Sequence, residues 1–164
     1  WRTFRVRPDN APVRRIGAAA SMVSRWLAND LVHRMVGLAQ QDDARRAAMS
    51  LVRTLGIGAE GYWGARRDFR TLRPRGLPAA LIGRSRALEI TTSVALPFLL
   101  ALADWNADRL LETRVRSMFA ALPAGPANSL ARWAAPRSLA PALRRQRLTA
   151  RQQQGLLFLA KARI

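Results

Sequence analysis

Apolar residues in this chain recur at spacings of three and four, with almost no alternation at two. The first clear run follows the turn-forming stretch Pro8-Asp9-Asn10-Ala11-Pro12, where Pro12 suits the first turn of a helix. Val13, Ile16, Ala20, Val23 and Leu27 then mark one apolar helical face. Asn29-Asp30 is a break that can recap a second helix, with Leu31, Met35 and Leu38 on one side. Asp42-Asp43 caps a third, in which Ala44, Ala48, Leu51, Val52 and Leu55 line up. Gly56 followed by Ile57 fits a left-handed helix stop.

Periodicity lapses between residues 57 and 84, which hold five glycines, two prolines, six arginines and the pair Tyr62-Trp63. An aperiodic connection this long is commonly functional or disordered, and its aromatics favour an ordered loop. A long helix follows from Ser85 or Arg86 to about Ala103. Pro97 inside it removes the bond to Ser93 and predicts a kink. Asp108 caps the next helix, with Leu111, Val115, Met118 and Leu122 on its apolar face and Pro123 as its stop. Asn128-Ser129 starts a short helix through Trp133. Thr149 and Gln152 form a capping box for a last helix from Ala150. Trp1 to Val6 is the single candidate strand. The expected architecture is all-α: one helical bundle of about six helices over residues 1–164, kinked at Pro97, with a Gly/Arg-rich loop at 57–84. The start on Trp1 without a Met reads as the interior of a longer protein.

Composition narrows the chemistry. A chain of 164 residues can bury roughly 70% of its unfolded surface, so a core needs no disulfide or metal staple. With no Cys, a thiolate zinc site and a Cys nucleophile are excluded. The lone His33 lies between apolar helical positions. Asp42-Asp43 reads as a cap, and Asp104 with Asp108 marks a helix junction. Gly56-Ile57-Gly58 echoes a phosphate loop but lacks the preceding strand and the Gly-Lys-Ser/Thr that the motif requires. No serine sits in a Gly-x-Ser-x-Gly turn. No catalytic residue, metal site or cofactor is therefore expected within this chain. Ile90 to Ala103, the longest apolar stretch, is interrupted by Thr91, Thr92, Ser93 and Pro97 and falls short of the roughly 20 apolar residues of a span. With no export pattern either, the reading is a cytoplasmic protein without a membrane partner.

Charge is the feature left over. The chain carries 28 basic and 10 acidic residues, a net charge of +18, and all but one of the basic residues are arginine. The excess lies in residues 1–28, 57–84 and 124–164, whereas residues 85–123 hold four basic and four acidic residues. In one reading Arg14, Arg15, Arg66, Arg67, Arg70, Arg144, Arg145, Arg147 and Arg151 form a phosphate-binding surface, because guanidinium forks suit phosphate. Tyr62 and Trp63 would then stack on bases of a nucleic acid. In the other, arginine reflects a genome rich in G and C, and the basic residues form a solvated face or meet a protein partner.

Several phrases carry a resemblance: Arg7-Pro8-Asp9-Asn10-Ala11-Pro12-Val13-Arg14-Arg15-Ile16, Tyr62-Trp63, Ile82-Gly83-Arg84-Ser85-Arg86-Ala87-Leu88-Glu89-Ile90, Leu96-Pro97-Phe98 and Arg151-Gln152-Gln153-Gln154-Gly155-Leu156-Leu157. In order and spacing the chain resembles the C-terminal part of the bacterial family called domain of unknown function 2851. Ser93 stands where that family usually has Asn, and the chain ends Arg163-Ile164 rather than near a Cys. The resemblance implies an N-terminal region as an intramolecular partner and brings no catalytic residue with it. Within the shared phrases, Arg86 and Glu89 are spaced to pair along a helix. Arg7, Asn10 and Gln152 to Gln154 either tie the chain ends to the core by hydrogen bonds or line a pocket.

Overall fold

A computed structural model of the chain describes residues 12–27, 30–66, 68–72, 80–125 and 148–161, with Trp133, Ala135 and Leu139 in between. The expected strand at the N-terminus and the short helix from Asn128-Ser129 lie outside the described residues, Trp133 excepted. Among the described residues the fold is all-α apart from one small sheet. Helices α1 (Pro12–Leu27), α2 (Leu31–Ala39) and α3 (Ala44–Leu55) lead into strand β1 (Ile57–Gly58) and a one-turn α4 (Gly61–Ala65). Strand β2 (Ala80–Ile82) is followed by α5 (Arg84–Ile90), a π-helical turn (Thr91–Ala95), α6 (Leu96–Trp105), α7 (Arg109–Ala121) and α8 (Ala150–Lys161).

Short polar side chains start these helices as the sequence indicates. Asp30 accepts from the His33 N–H at 3.0 Å, and Asp43 from the Arg45 and Arg46 N–H groups at 2.9 and 3.0 Å. Asp108 accepts from the Leu111 N–H at 2.9 Å. Thr149 and Gln152 close their capping box: Oε1 of Gln152 accepts from the Thr149 N–H at 2.8 Å, and Oγ1 of Thr149 from the Gln152 N–H at 3.3 Å. Each cap satisfies donors that the first helical turn leaves open and contributes about 1 kcal/mol.

The core is organised on α3, whose Ala47, Ala48, Leu51, Val52 and Leu55 are all buried against α2, α5, the π turn and α7. Leu96, Leu99, Val115, Met118 and Leu122 close it from α6 and α7. Arg114 of α7 donates to the Gln40 carbonyl and lies 3.6 Å from Asp42, fastening α7 to the turn between α2 and α3. On the outer side of α7, hydrogen bonds from Arg116 and Arg109 hold the Glu112 carboxyl below the usual carboxylate range. Helix α8 packs on α7, and Leu156 forms a second small cluster with Ala135, Leu139 and Leu148. Backbone bonds from Ala124 to the Leu148 carbonyl (3.2 Å) and from Ala150 to the Leu122 carbonyl (2.9 Å) join the two helices at their ends.

Two local expectations are corrected. The face of α1 expected in the core is outside: Ile16, Ala20, Val23 and Leu27 are exposed, while Arg14, Gly17 and Ala18 turn inward. The inward side is chosen because it is small and flat, which lets the segment after β1 lie against the helix. Gly56 is extended (φ −68°, ψ 138°) and runs straight into β1, which pairs antiparallel with β2 through Ile57–Ile82 and Gly58–Ala80. The left-handed stop is instead at Ala107 (φ 53°). There the Asp108 N–H reaches the Ala103 carbonyl at 2.8 Å and the Ala107 N–H reaches the Asp104 carbonyl at 3.1 Å, closing α6 as a Schellman motif.

The irregularity expected from Pro97 takes the form of a π turn just before it, in which the Leu96 N–H bonds to the Thr91 carbonyl. The rod from Arg84 to Trp105 buries Ala87, Thr91, Ala95, Leu99 and Ala103 and exposes Ser85, Glu89, Ser93, Pro97, Ala101 and Trp105. Both sets step by four. In an ideal α-helix, positions four apart drift by about 40° per step, which would wind the buried set around the rod. The wider π turn takes up much of that drift and keeps the stripe on α3 and α7. Thr91 Oγ1 donates to the Ala87 carbonyl at 2.8 Å and Thr92 Oγ1 to the Leu88 carbonyl at 3.1 Å, so carbonyls beside the wide turn retain donors. By length and composition this is the one helix among the described residues able to cross a membrane, and one side of it is packed in the core.

Ala107→Gly removes the side chain from the left-handed position, where an L-residue costs about 1–2 kcal/mol, against a glycine entropy cost of about 0.5–1 kcal/mol. The expected outcome is a gain of roughly 0.5–1 kcal/mol in urea-unfolding free energy, without change in the denaturant slope.

Candidate nucleic-acid interface

The candidate site is the hairpin-like segment from Gly61 to Leu72, which leaves the sheet after β1 and returns toward β2. Gly61 turns the chain at φ 53° into α4, whose single turn carries Tyr62 and Trp63. Trp63 lies against α1 at Gly17: a Cβ placed there would come within 2.6 Å of Trp63 Cε2. Only glycine admits the ring at that point. Tyr62 packs edge-on against Trp63, with centroids 5.2 Å apart and planes at 86°. Phe69 completes the group at 6.3 Å from Tyr62 and 5.8 Å from Trp63.

The return limb is shaped by Asp68, whose carboxylate accepts from the Arg70 N–H at 2.8 Å and the Thr71 N–H at 2.7 Å. This Asx turn aligns Arg66 with Leu72 in an isolated antiparallel bridge. Tyr62 Oη donates to the Phe69 carbonyl at 3.4 Å, and the Arg66 guanidinium stacks 5.2 Å above the Tyr62 ring. The result is an outward aromatic surface, with Tyr62 47% and Phe69 66% exposed, edged by Arg66 and the exposed Arg70.

Arg14 supports this segment from below. Its side chain is 4% exposed; Nη1 donates to the Arg66 carbonyl at 3.2 Å and Nη2 to the Ala80 carbonyl at 3.1 Å. The guanidinium therefore ties α1 to the hairpin at Arg66 and to strand β2 at Ala80, and is not on the surface where phosphate would meet it. Of the other arginines singled out, Arg15 is exposed on α1, and Arg66 and Arg70 come together on the hairpin. Arg151 is exposed on α8, which packs on α7 rather than beside the hairpin. Arg67, Arg144, Arg145 and Arg147 lie outside the described residues, as do Arg7 and Asn10.

Trp63 is half-buried as an anchor, and the second outward ring is Phe69, which periodicity and composition did not single out. Trp26 was also missed: its ring has the guanidinium of Arg25 at 5.7 Å and that of Arg34 at 5.8 Å. Arg86 and Glu89 pair at 2.8 Å as spaced. Gln152 serves the capping box, Gln153 Nε2 donates to the Gly125 carbonyl at 3.1 Å, Gln154 is half-buried and Gly155 exposed. Gln152 and Gln153 thus act as ties of the last helix.

An open groove of about 490 Å³ runs between α1 and β1, lined by Ser21, Ser24, Arg25, Ile57 and Glu60. Arg25 is engaged there by the Gly56 carbonyl at 3.1 Å. Among the described residues no three His, Asp or Glu side chains converge as a metal set, and His33 is exposed on α2. No family model matches the chain, and neither a curated protein nor a solved structure matches it.

Gly17→Ala should be destabilising although Ala is the better helix former by about 1 kcal/mol, because the new methyl occupies the seat of Trp63. Overpacking of this kind costs typically 1–3 kcal/mol. The expected outcome is a lower melting temperature together with a red shift of tryptophan emission.

Proposed function

We propose that this chain is a non-catalytic helical domain of a cytoplasmic protein that binds single-stranded nucleic acid through the Gly61–Leu72 hairpin. The observation that carries the reading is the outward pair Tyr62 and Phe69 with Arg66 stacked on Tyr62, on a chain of net charge +18. Unpaired bases present a π-face to such rings whatever their identity, and guanidinium groups at the edge of the platform meet the backbone phosphates. The binding is expected to be tolerant of sequence, since among the described residues no donor–acceptor pattern for reading a base edge accompanies the rings. The shared phrases at Tyr62-Trp63 and Gln152–Gln154 support membership in the family of domain of unknown function 2851, which adds no chemistry to this proposal.

A second reading rests on a specific observation: α1 presents Ile16, Val23 and Leu27 outward. A docking domain would cover that face with another domain of the same polypeptide, and the arginines would then be compositional background.

Fluorescence anisotropy with a labelled 20-nucleotide single strand tests the first reading. Affinity should fall steeply between 50 and 200 mM salt, and Arg66→Ala with Arg70→Ala should reduce the logarithmic salt slope by about 0.7 for each phosphate that is no longer neutralised. Tyr62→Ala and Phe69→Ala should each weaken binding by about 5- to 150-fold, the equivalent of 1–3 kcal/mol per stacked base. Absence of binding at 20 mM salt, or binding indifferent to both ring substitutions, overturns it.

A further inference from the structure

The rod from Arg84 to Trp105 has an outer side as well as the buried one. Val94 is 60%, Phe98 43% and Trp105 88% exposed, and Pro97 and Ala101 are exposed between them. Spaced by three and four, Val94, Pro97, Phe98, Ala101 and Trp105 share one outer side of the rod as an apolar stripe. Isolated apolar residues on a surface need no explanation, but a contiguous stripe of this length with an almost fully exposed Trp does.

Charge selects the occupant. The stripe belongs to the electrically neutral part of a strongly basic chain: residues 85–123 carry four basic and four acidic residues, against +18 overall. Acidic partners would be drawn to the basic segments elsewhere. A lipid-seeking helix carries Lys and Arg along its polar flanks, whereas this rod has two exposed acids, Glu89 and Asp104, beside its stripe. Two copies of a +18 chain repel one another over most approaches, and the neutral rod is where that repulsion is least. The rod is also polar end to end, with Arg84 and the Glu89-paired Arg86 at its start and Asp104 at its finish.

From this we infer that the outer stripe of the Arg84–Trp105 rod is the contact of an antiparallel, two-fold homodimer. An antiparallel partner centred between Val94 and Pro97 brings Arg84 and Arg86 of one copy beside Asp104 and Trp105 of the other, at both ends at once. The small Ala101 permits close approach of the rods, and the Arg–Asp and Arg–Trp contacts favour this orientation over the parallel one, which sets like charges together. The two aromatic rings and their neighbours cover roughly 500 Å² per copy, which places the contact at the low end of specific interfaces, among transient ones. This inference is independent of the proposed nucleic-acid contact.

Sedimentation equilibrium of the 164-residue chain between about 1 and 500 μM in 0.15 M salt should show a reversible monomer–dimer equilibrium. Trp105→Glu should raise the dissociation constant at least about tenfold. Arg84→Asp and Asp104→Arg should each weaken the dimer and their combination restore it. Both changes suit the helix dipole, with an acid at the start and a base at the end, so the fold is retained. The chain has no cysteine of its own, which allows introduced thiols to report orientation. Val94→Cys, near the two-fold axis, should form an intermolecular disulfide, whereas Ser85→Cys groups lie about 30 Å apart and should not. A monomer throughout the range, a dimer indifferent to Trp105→Glu, equal cross-linking at both cysteines, or binding to anionic phosphatidylserine vesicles that Trp105→Glu abolishes would each overturn the inference.

Discussion

The fold depends on the complete burial of one side of a three-turn helix. Ala47 and Ala48 of α3 are small enough to let neighbouring helices approach closely, and Leu51, Val52 and Leu55 fill the space between them. A leucine so enclosed typically contributes about 2–5 kcal/mol, a large part of the stability of a domain. Helices α2, α5 and α7 are each placed by contact with this one surface, and the chain leaves it directly through Gly56 into β1. The position of the aromatic hairpin is therefore inherited from α3 through the short sheet, and its orientation is then fixed from α1.

That second step is made by a charged group in an unusual role. Arg14 is enclosed and spends two donors on backbone carbonyls of Arg66 and Ala80, the two limbs that leave and rejoin the sheet. A guanidinium suits this because it is planar, with several donors in fixed directions, so one side chain spans two strands of irregular backbone. An arginine count consequently overstates the basic surface: some of the charge in the sequence is structural bracing. The outward charge near the rings comes from Arg66 and Arg70, and Arg66 is itself oriented by stacking on Tyr62.

Helix positions and their caps were legible, because Asp30, Asp43, Asp108 and the Thr149–Gln152 box act locally and leave a local signature. The inward face of α1 was not. Periodicity finds an apolar stripe, but it cannot tell that a flat side of Gly17 and Ala18 is preferred by a tryptophan arriving from residue 63. The same limit applies at the helix stops, where glycine at 56 suggested a left-handed turn that is made by alanine at 107, closed by the backbone bonds to Ala103 and Asp104. Within the candidate site, Tyr62 and the nearby arginines were visible as residue types. Phe69 was not, because its place beside Tyr62 depends on the Asp68 turn rather than on any spacing.

The π turn in the central rod also fixes what kinds of sequence change the chain tolerates. Because buried and exposed positions between Ser85 and Trp105 alternate in steps of four, the residues are counted rather than merely chosen. Removing one residue from the regular helix between Leu96 and Ala103 would shorten the rod by about 1.5 Å and turn everything beyond it by about 100°. Helix α7 and its contacts with α3 would be carried round with it. Length in this segment is thus a stricter constraint than identity: many side chains can stand at these positions, but only one number of them keeps both ends of the rod facing the same core.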